Sequence, residues 1–225
     1  MLNTCEPDAW GNFAFNLSAD ELANIAAHFG KGEYPAMLAE FGSRDLVREQ
    51  LMEPHGFVHA GAMPAMEVDL SMISKPALAD GYSFARIRSE EDPLPWANTL
   101  AESYPIAPLA AHSLSPVHTH VSDDSDASVQ YFAVRSGEEI VGVSILVLAD
   151  ELAGIYGVAT RPEHRRKGIG AVVTSYPLHL ARDLGYTKGV LQASQDGYGV
   201  YEKLGFATVD EVQVYLRLPE GATPH

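Results

Sequence analysis

Four of the fifteen lysines and arginines in this 225-residue chain, Arg161, Arg165, Arg166 and Lys167, fall within seven positions. Two glycines, Gly168 and Gly170, follow at once. The stretch before them, residues 154–160, reads as a buried strand. The stretch after them reads as a helix, with Ile169, Val172, Val173, Tyr176, Leu180 and Leu184 on one broad face and Gly185 as its stop. The first N–H groups of a helix have no intrahelical acceptor, and the helix dipole places partial positive charge there. Glycines let a diphosphate approach the backbone, and basic side chains add charge against it. A strand, a basic glycine turn and a helix make an anion site. A merely solvated basic turn is the plain alternative, although positive charge opposes the dipole at a helix start. A dinucleotide fingerprint would need a third glycine where Val173 stands, and a P-loop would need Gly-Lys-Ser/Thr, so neither nucleotide motif is complete.

Groups able to move protons are scattered more widely. Tyr201 carries a phenol with a reference pKa near 10. Glu151 and Tyr156 lie on the strand leading into the turn, though Glu151 beside Asp150 also reads as a solvated strand-end carboxylate. His118 and His120 have the intrinsic pKa for proton handling but sit in a polar loop at 105–127. With Asp123 they suggest a metal site that lacks a further spaced ligand, and no metal is expected. Cys5 is the only cysteine, which excludes an intramolecular disulfide and a cysteine-based metal cluster.

The elements that must position these groups change character near Tyr82. Before it, residues 13–30 read as an amphipathic helix with the capping box Ser18–Glu21. Residues 35–52 read as a second helical stretch broken near Gly42-Ser43, residues 56–70 as strand-like, and 71–81 as a connector. After it come a strand at 84–88, a helix at 93–103 opened by Asp92-Pro93, the long loop, and strands at 129–135, 139–148 and 152–160. The helix after Gly168, a strand at 189–193, a short helix at 197–204 and two final strands complete the pattern. Strands joined by short turns and followed by alternating helices and strands predict a mixed α/β sheet covered by helices.

Composition agrees with a globular chain: 46% of residues are hydrophobic and 20% charged. No run approaches the ~20 apolar residues of a membrane helix, and the first residues lack the basic start and apolar core of a secretory leader. A cytoplasmic location is expected. The formal net charge of −15 repels nucleic acid and anionic membranes and is compatible with a cationic partner, or with solubility alone.

Arg165-x-x-Gly168-x-Gly170, opening a helix after the strand that ends at Thr160, resembles the acetyl-CoA loop of the GNAT superfamily of N-acetyltransferases. The run Leu191–Phe206 is similar to the second cofactor motif of that family. The resemblance covers roughly residues 82–218, with its specific motifs confined to 155–206. It implies a splayed mixed sheet flanked by helices, with acetyl-CoA as co-substrate. Backbone groups of Val158 and Thr160, with Ala159 between them, would meet the pantetheine. The amides of Arg166, Lys167, Gly168, Ile169, Gly170 and Ala171, beside Arg165, would hold the pyrophosphate, and Ser194 would complete the cofactor contacts. The Val158 N–H would polarise the thioester carbonyl, and Tyr201 would protonate the leaving thiolate unless it simply packs. Glu151 is the candidate base, although an amine that arrives neutral needs none.

The implied reaction is N-acetylation of a small-molecule or peptide amine by direct attack. The alternative is a non-catalytic acyl-CoA sensor on the same fold. Residues 1–75 would form an N-terminal α/β appendage, either a degenerate acetyltransferase-like domain or a cap over the acceptor site. Residues 76–81 would be a connector and 219–225 a tail. The expected partners include neither nucleic acid nor membrane, and a homodimer is left open.

Overall fold

The structure is a computed structural model that describes residues 2–3, 12–32, 34–88, 94–103, 123–124 and 127–218. In chain order the first elements are β1 (Leu2–Asn3), β2 (Asn12–Phe15), α1 (Ala19–Gly30), β3 (Ala36–Phe41), α2 (Leu46–Met52) and β4 (Val58–Asp69). There follow β5 (Tyr82–Arg86), α3 (Leu94–Ser103), β6 (Val129–Ser136), β7 (Glu139–Ala149) and β8 (Leu152–Thr160). The last are α4 (Ile169–Asp183), β9 (Lys188–Gln192), α5 (Tyr198–Leu204) and β10 (Ala207–Arg217). Among the described residues no helix is long and apolar enough to cross a membrane. The chain forms two compact units, Met1–Pro64 with Asp210–His225, and Ala65–Val209, so β4 and β10 each contribute to both. These bounds differ from the sequence-drawn division at 75 and 82.

In the first unit, α1 starts where the sequence places its cap: Ser18 accepts from the Glu21 N–H, and the Glu21 side chain accepts from the Ser18 N–H. Two expectations fail here. Residues 13–15, read as helix, belong to β2, and residues 36–41, also read as helix, form β3. Ala36–Phe41 is composed of good helix formers. Pairing with β2 on one side and with Val212–Arg217 of β10 on the other overrides that preference and buries Ala36, Leu38 and Glu40 in alternation. The two final strands of the sequence reading are one continuous strand, β10. Phe29, Leu38, Met52 and Tyr215 anchor this unit's core. Burial and the Glu49 carboxylate, which accepts from the Tyr215 hydroxyl at 3.1 Å, push that phenol up to about 12.

In the second unit β5, β6, β7 and β8 form an antiparallel meander, β8 pairs in parallel with β9, and β9 pairs antiparallel with β4. Helix α3 packs on one side through Trp96 and Leu100. The Trp96 Nε1–H reaches the Phe132 carbonyl at 3.0 Å. Helix α4 packs through Ile169, Val172, Val173 and Leu178. The opening predicted for α3, Asp92-Pro93, lies outside the described residues, as do His118, His120 and Cys5.

Two details hold α4 in place. Gly142 of β7 lies beneath its first residue, where a Cβ would overlap the Ile169 side chain. Any larger residue would push the start of the helix outward. Pro177 lies inside α4 and has no N–H to give the carbonyl of Val173, four residues earlier. The buried Ser144 hydroxyl of β7 donates to that carbonyl at 2.6 Å, so the acceptor a helical proline strands is satisfied from the sheet. Ser144→Ala should therefore cost about 1–3 kcal/mol in chemical denaturation. In a Pro177→Ala background, which restores the helical donor, most of that cost should vanish.

Candidate active site

The turn after β8 is built by commitments of its basic residues. The Arg161 guanidinium meets Glu102 and Glu139, each at 3.1 Å, and the Thr99 hydroxyl at 3.3 Å. Arg165 donates to the carbonyl of Thr160 at 3.3 Å and to that of Ser103, at the end of α3, at 3.0 Å. Half of the basic cluster thus ties the turn to the sheet and to α3. Arg166, in a left-handed conformation at φ 60°, and Lys167 are left exposed.

Gly168 caps α4 at φ 81° with no side-chain cap bond. The first N–H of this turn to find a helical acceptor is that of Val172, on the Gly168 carbonyl. Ile169, Gly170 and Ala171 thus present their N–H groups outward from the positive end of the helix dipole. The two glycines differ in reason. Gly168 is required by its backbone conformation. Gly170 has ordinary helical geometry, and a Cβ there would meet nothing nearer than the Thr160 hydroxyl at 3.9 Å. The protein has room for a side chain at 170, so what the glycine preserves is access to the amides.

Beside this turn the sheet opens. β8 and β9 pair from Leu152↔Lys188 as far as Gly154↔Val190, while β9 continues along β4 to Ala65↔Gln192. Just beyond that point β8 carries a bulge: Val143 pairs with Ala159 and Ile145 with Tyr156, so Gly157 and Val158 together face Ser144. Gly157 takes φ 56°, which a side chain would strain. The parted strands, the α4 turn and α5 enclose a cleft of about 1180 Å³. Tyr201 of α5 is 6% exposed and lines the cleft, its ring 6.0 Å from Phe206 and so close over Gly197 that a Cβ there would stand 2.8 Å away.

Most of the residues singled out in the sequence converge here. Val158, Ala159, Thr160, Arg165 and Arg166 line one side of the cleft. Gly168, Ile169, Gly170 and Ala171 form its end, and Ser194 and Tyr201 its far wall. Lys167 does not line it, because the turn directs that residue to solvent. Glu151 is a correction: it is exposed in the tight turn between β7 and β8. It lies nine residues before Thr160, roughly 25–30 Å along an extended strand, and cannot act at the cleft. Tyr156 lies back over Gly154, and burial raises its phenol above the ordinary value. That shift works against a role as base. No local pattern marks Ser74, Lys75 and Pro76, which also line the cleft. They belong to a stretch read only as a connector.

A family model described as Acetyltransferase (GNAT) family matches residues 93–206, just over half of the chain. The class is therefore that of the acyltransferases that draw on acetyl-CoA. The chain belongs to the GNAT acetyltransferase family. Its fold is similar to that of a GCN5-related N-acetyltransferase from Kribbella flavida, with TM-score 0.69, 19% identity, and coverage of 96% of this chain and 84% of that one. It is also similar to a GCN5-related N-acetyltransferase from Sphaerobacter thermophilus, with TM-score 0.67, 15% identity, and coverage of 89% and 66%. A putative acetyltransferase of the same family from Novosphingobium aromaticivorans gives TM-score 0.60, 19% identity, and coverage of 95% and 86%. No curated protein matches the sequence.

Gly170→Ala separates packing from access. It should raise stability by up to about 1 kcal/mol, as glycine removal in a helix does. In isothermal titration it should weaken CoA binding at least tenfold.

Proposed function

We propose that this chain is an N-acetyltransferase that transfers the acetyl group of acetyl-CoA directly to an acceptor amine. The observation that carries the reading is the meeting, in one cleft, of the outward-facing amides of Ile169–Ala171 with the parted strands β8 and β9 and with Tyr201. In this reading the diphosphate lies on the α4 amides and the pantetheine runs between the strands. The thioester then lies beside the bulge at Gly157-Val158.

The amine nitrogen, entering neutral, attacks the thioester carbon. A C–N bond forms as the carbonyl electrons move to oxygen, and the Val158 N–H steadies that oxyanion. Collapse re-forms the carbonyl and breaks the C–S bond. The departing thiolate takes the Tyr201 proton, the new ammonium loses one to water, and the phenolate recovers its own from solvent. The net charge of −15 favours an acceptor that is cationic before it deprotonates. Every described residue given a role here lies in the second unit, Ala65–Val209.

The test is incubation with acetyl-CoA and a panel of primary amines, following free thiol and the acetylated amine by mass spectrometry. Acetylation of an amine supports the proposal. Tight acetyl-CoA binding without turnover of any amine would make the chain an acyl-CoA-binding module, and absence of binding would contradict both. With a turned-over amine, Tyr201→Phe should lower kcat about 10²-fold or more while leaving the Kd for CoA within about twofold. An unchanged kcat would remove Tyr201 from the mechanism.

A further inference from the structure

The tripeptide Ser74-Lys75-Pro76 lies outside the family-matched residues 93–206, yet it forms part of the cleft wall. It is pinned at both ends. The Ser74 N–H donates to the Leu204 carbonyl at the end of α5, at 3.3 Å. The Pro76 carbonyl accepts from the Tyr176 hydroxyl of α4, at 3.0 Å. The segment thus bridges the two helices that flank the cleft. Between those anchors the Lys75 ammonium stands over the Tyr176 ring, 5.2 Å from its centre. The ring steadies the cation without neutralising it.

Lys75 makes no ion pair with a carboxylate among the described residues. A second cation, Arg182, stands near: burial first, then Arg182 and Lys75, hold His179 below its ordinary pKa against the Ser74 backbone and Asp183. Lys203 lines the same cleft, and Asp196 is its acidic member. In a chain carrying −15 overall, a fixed and unneutralised ammonium in the cofactor cleft calls for an anion.

We infer that Lys75 is a phosphate-binding residue that takes the 3′-phosphate on the ribose of coenzyme A. This rests on the acetyl-CoA reading given above. The spacing suits it: Tyr176 lies seven residues along α4 from Ile169, about 10 Å at helical rise. A phosphate one ribose away from the diphosphate falls within that interval. The diphosphate is held by backbone amides. The phosphomonoester, a separate dianion, is held by a side chain that the matched family segment does not contain. Lys75 therefore sets the preference for coenzyme A over its 3′-dephospho form.

Calorimetric titration of the full chain with CoA and with 3′-dephospho-CoA tests this. The wild type should bind CoA about tenfold more tightly, the scale of one charge-assisted contact at a solvent-exposed site. Lys75→Met, which keeps an apolar stem on the Tyr176 ring, should weaken CoA binding by about that factor and leave dephospho-CoA unchanged. Lys75→Arg should retain the preference. Equal wild-type affinity for the two ligands would overturn the assignment while leaving the cofactor reading intact. So would an equal loss for both ligands in Lys75→Met, or a preference that follows Lys203→Met instead. If neither ligand binds the wild type, the acetyl-CoA reading fails and this inference fails with it.

Discussion

The site depends on keeping the first turn of α4 close to the sheet while its N–H groups stay unsatisfied by the protein. Those two demands conflict, because a helix start normally recruits a capping side chain. Here Gly168 caps with backbone geometry alone, and the packing that would otherwise come from a cap comes from below. Ile169 drops into the space left by Gly142, and Ser144 takes the carbonyl that Pro177 leaves without a helical donor. The helix is thus fixed by its buried side, and its N-terminus remains open to an anion.

The same region of β7 and β8 produces the second half of the site. Ser144 stands opposite two residues of β8, and this bulge lies just beyond the point, Gly154, at which β8 and β9 stop pairing. One serine therefore belongs both to the anchoring of α4 and to the irregularity that shapes the cleft. The basic cluster divides its work in a related way. Arg161 and Arg165 join the turn to α3 and β8 through carboxylates, a hydroxyl and carbonyls. Arg166, exposed at the cleft, keeps its charge available.

Much of this was legible in the sequence, and the parts that were not share a cause. The turn at Arg165–Gly170, the helix after it and the meander from β6 to β8 follow from local signals: glycine placement, apolar spacing and short turns, whereas Tyr201 was singled out only through the family resemblance of the run around it. Ala36–Phe41 was misread because its residues favour helix and only its strand partners decide otherwise. Glu151 was misplaced because residue type marked it as a base while the direction of β8 carries it to the far end of the strand. Lys75 carries no local mark at all. Its place in the cleft is made by the contacts of its neighbours Ser74 and Pro76 to Leu204 and Tyr176, a hundred residues away or more, and such closure cannot be read from the local sequence.

The most direct measurement is a titration of the isotopically labelled chain with CoA, observing backbone amide resonances. The amides of Ile169, Gly170 and Ala171 should move more than those elsewhere, downfield as they take up phosphate oxygens, and should saturate together with a single Kd. If CoA binds while these three resonances stay in place and others shift, the helix N-terminus is not where the cofactor is held.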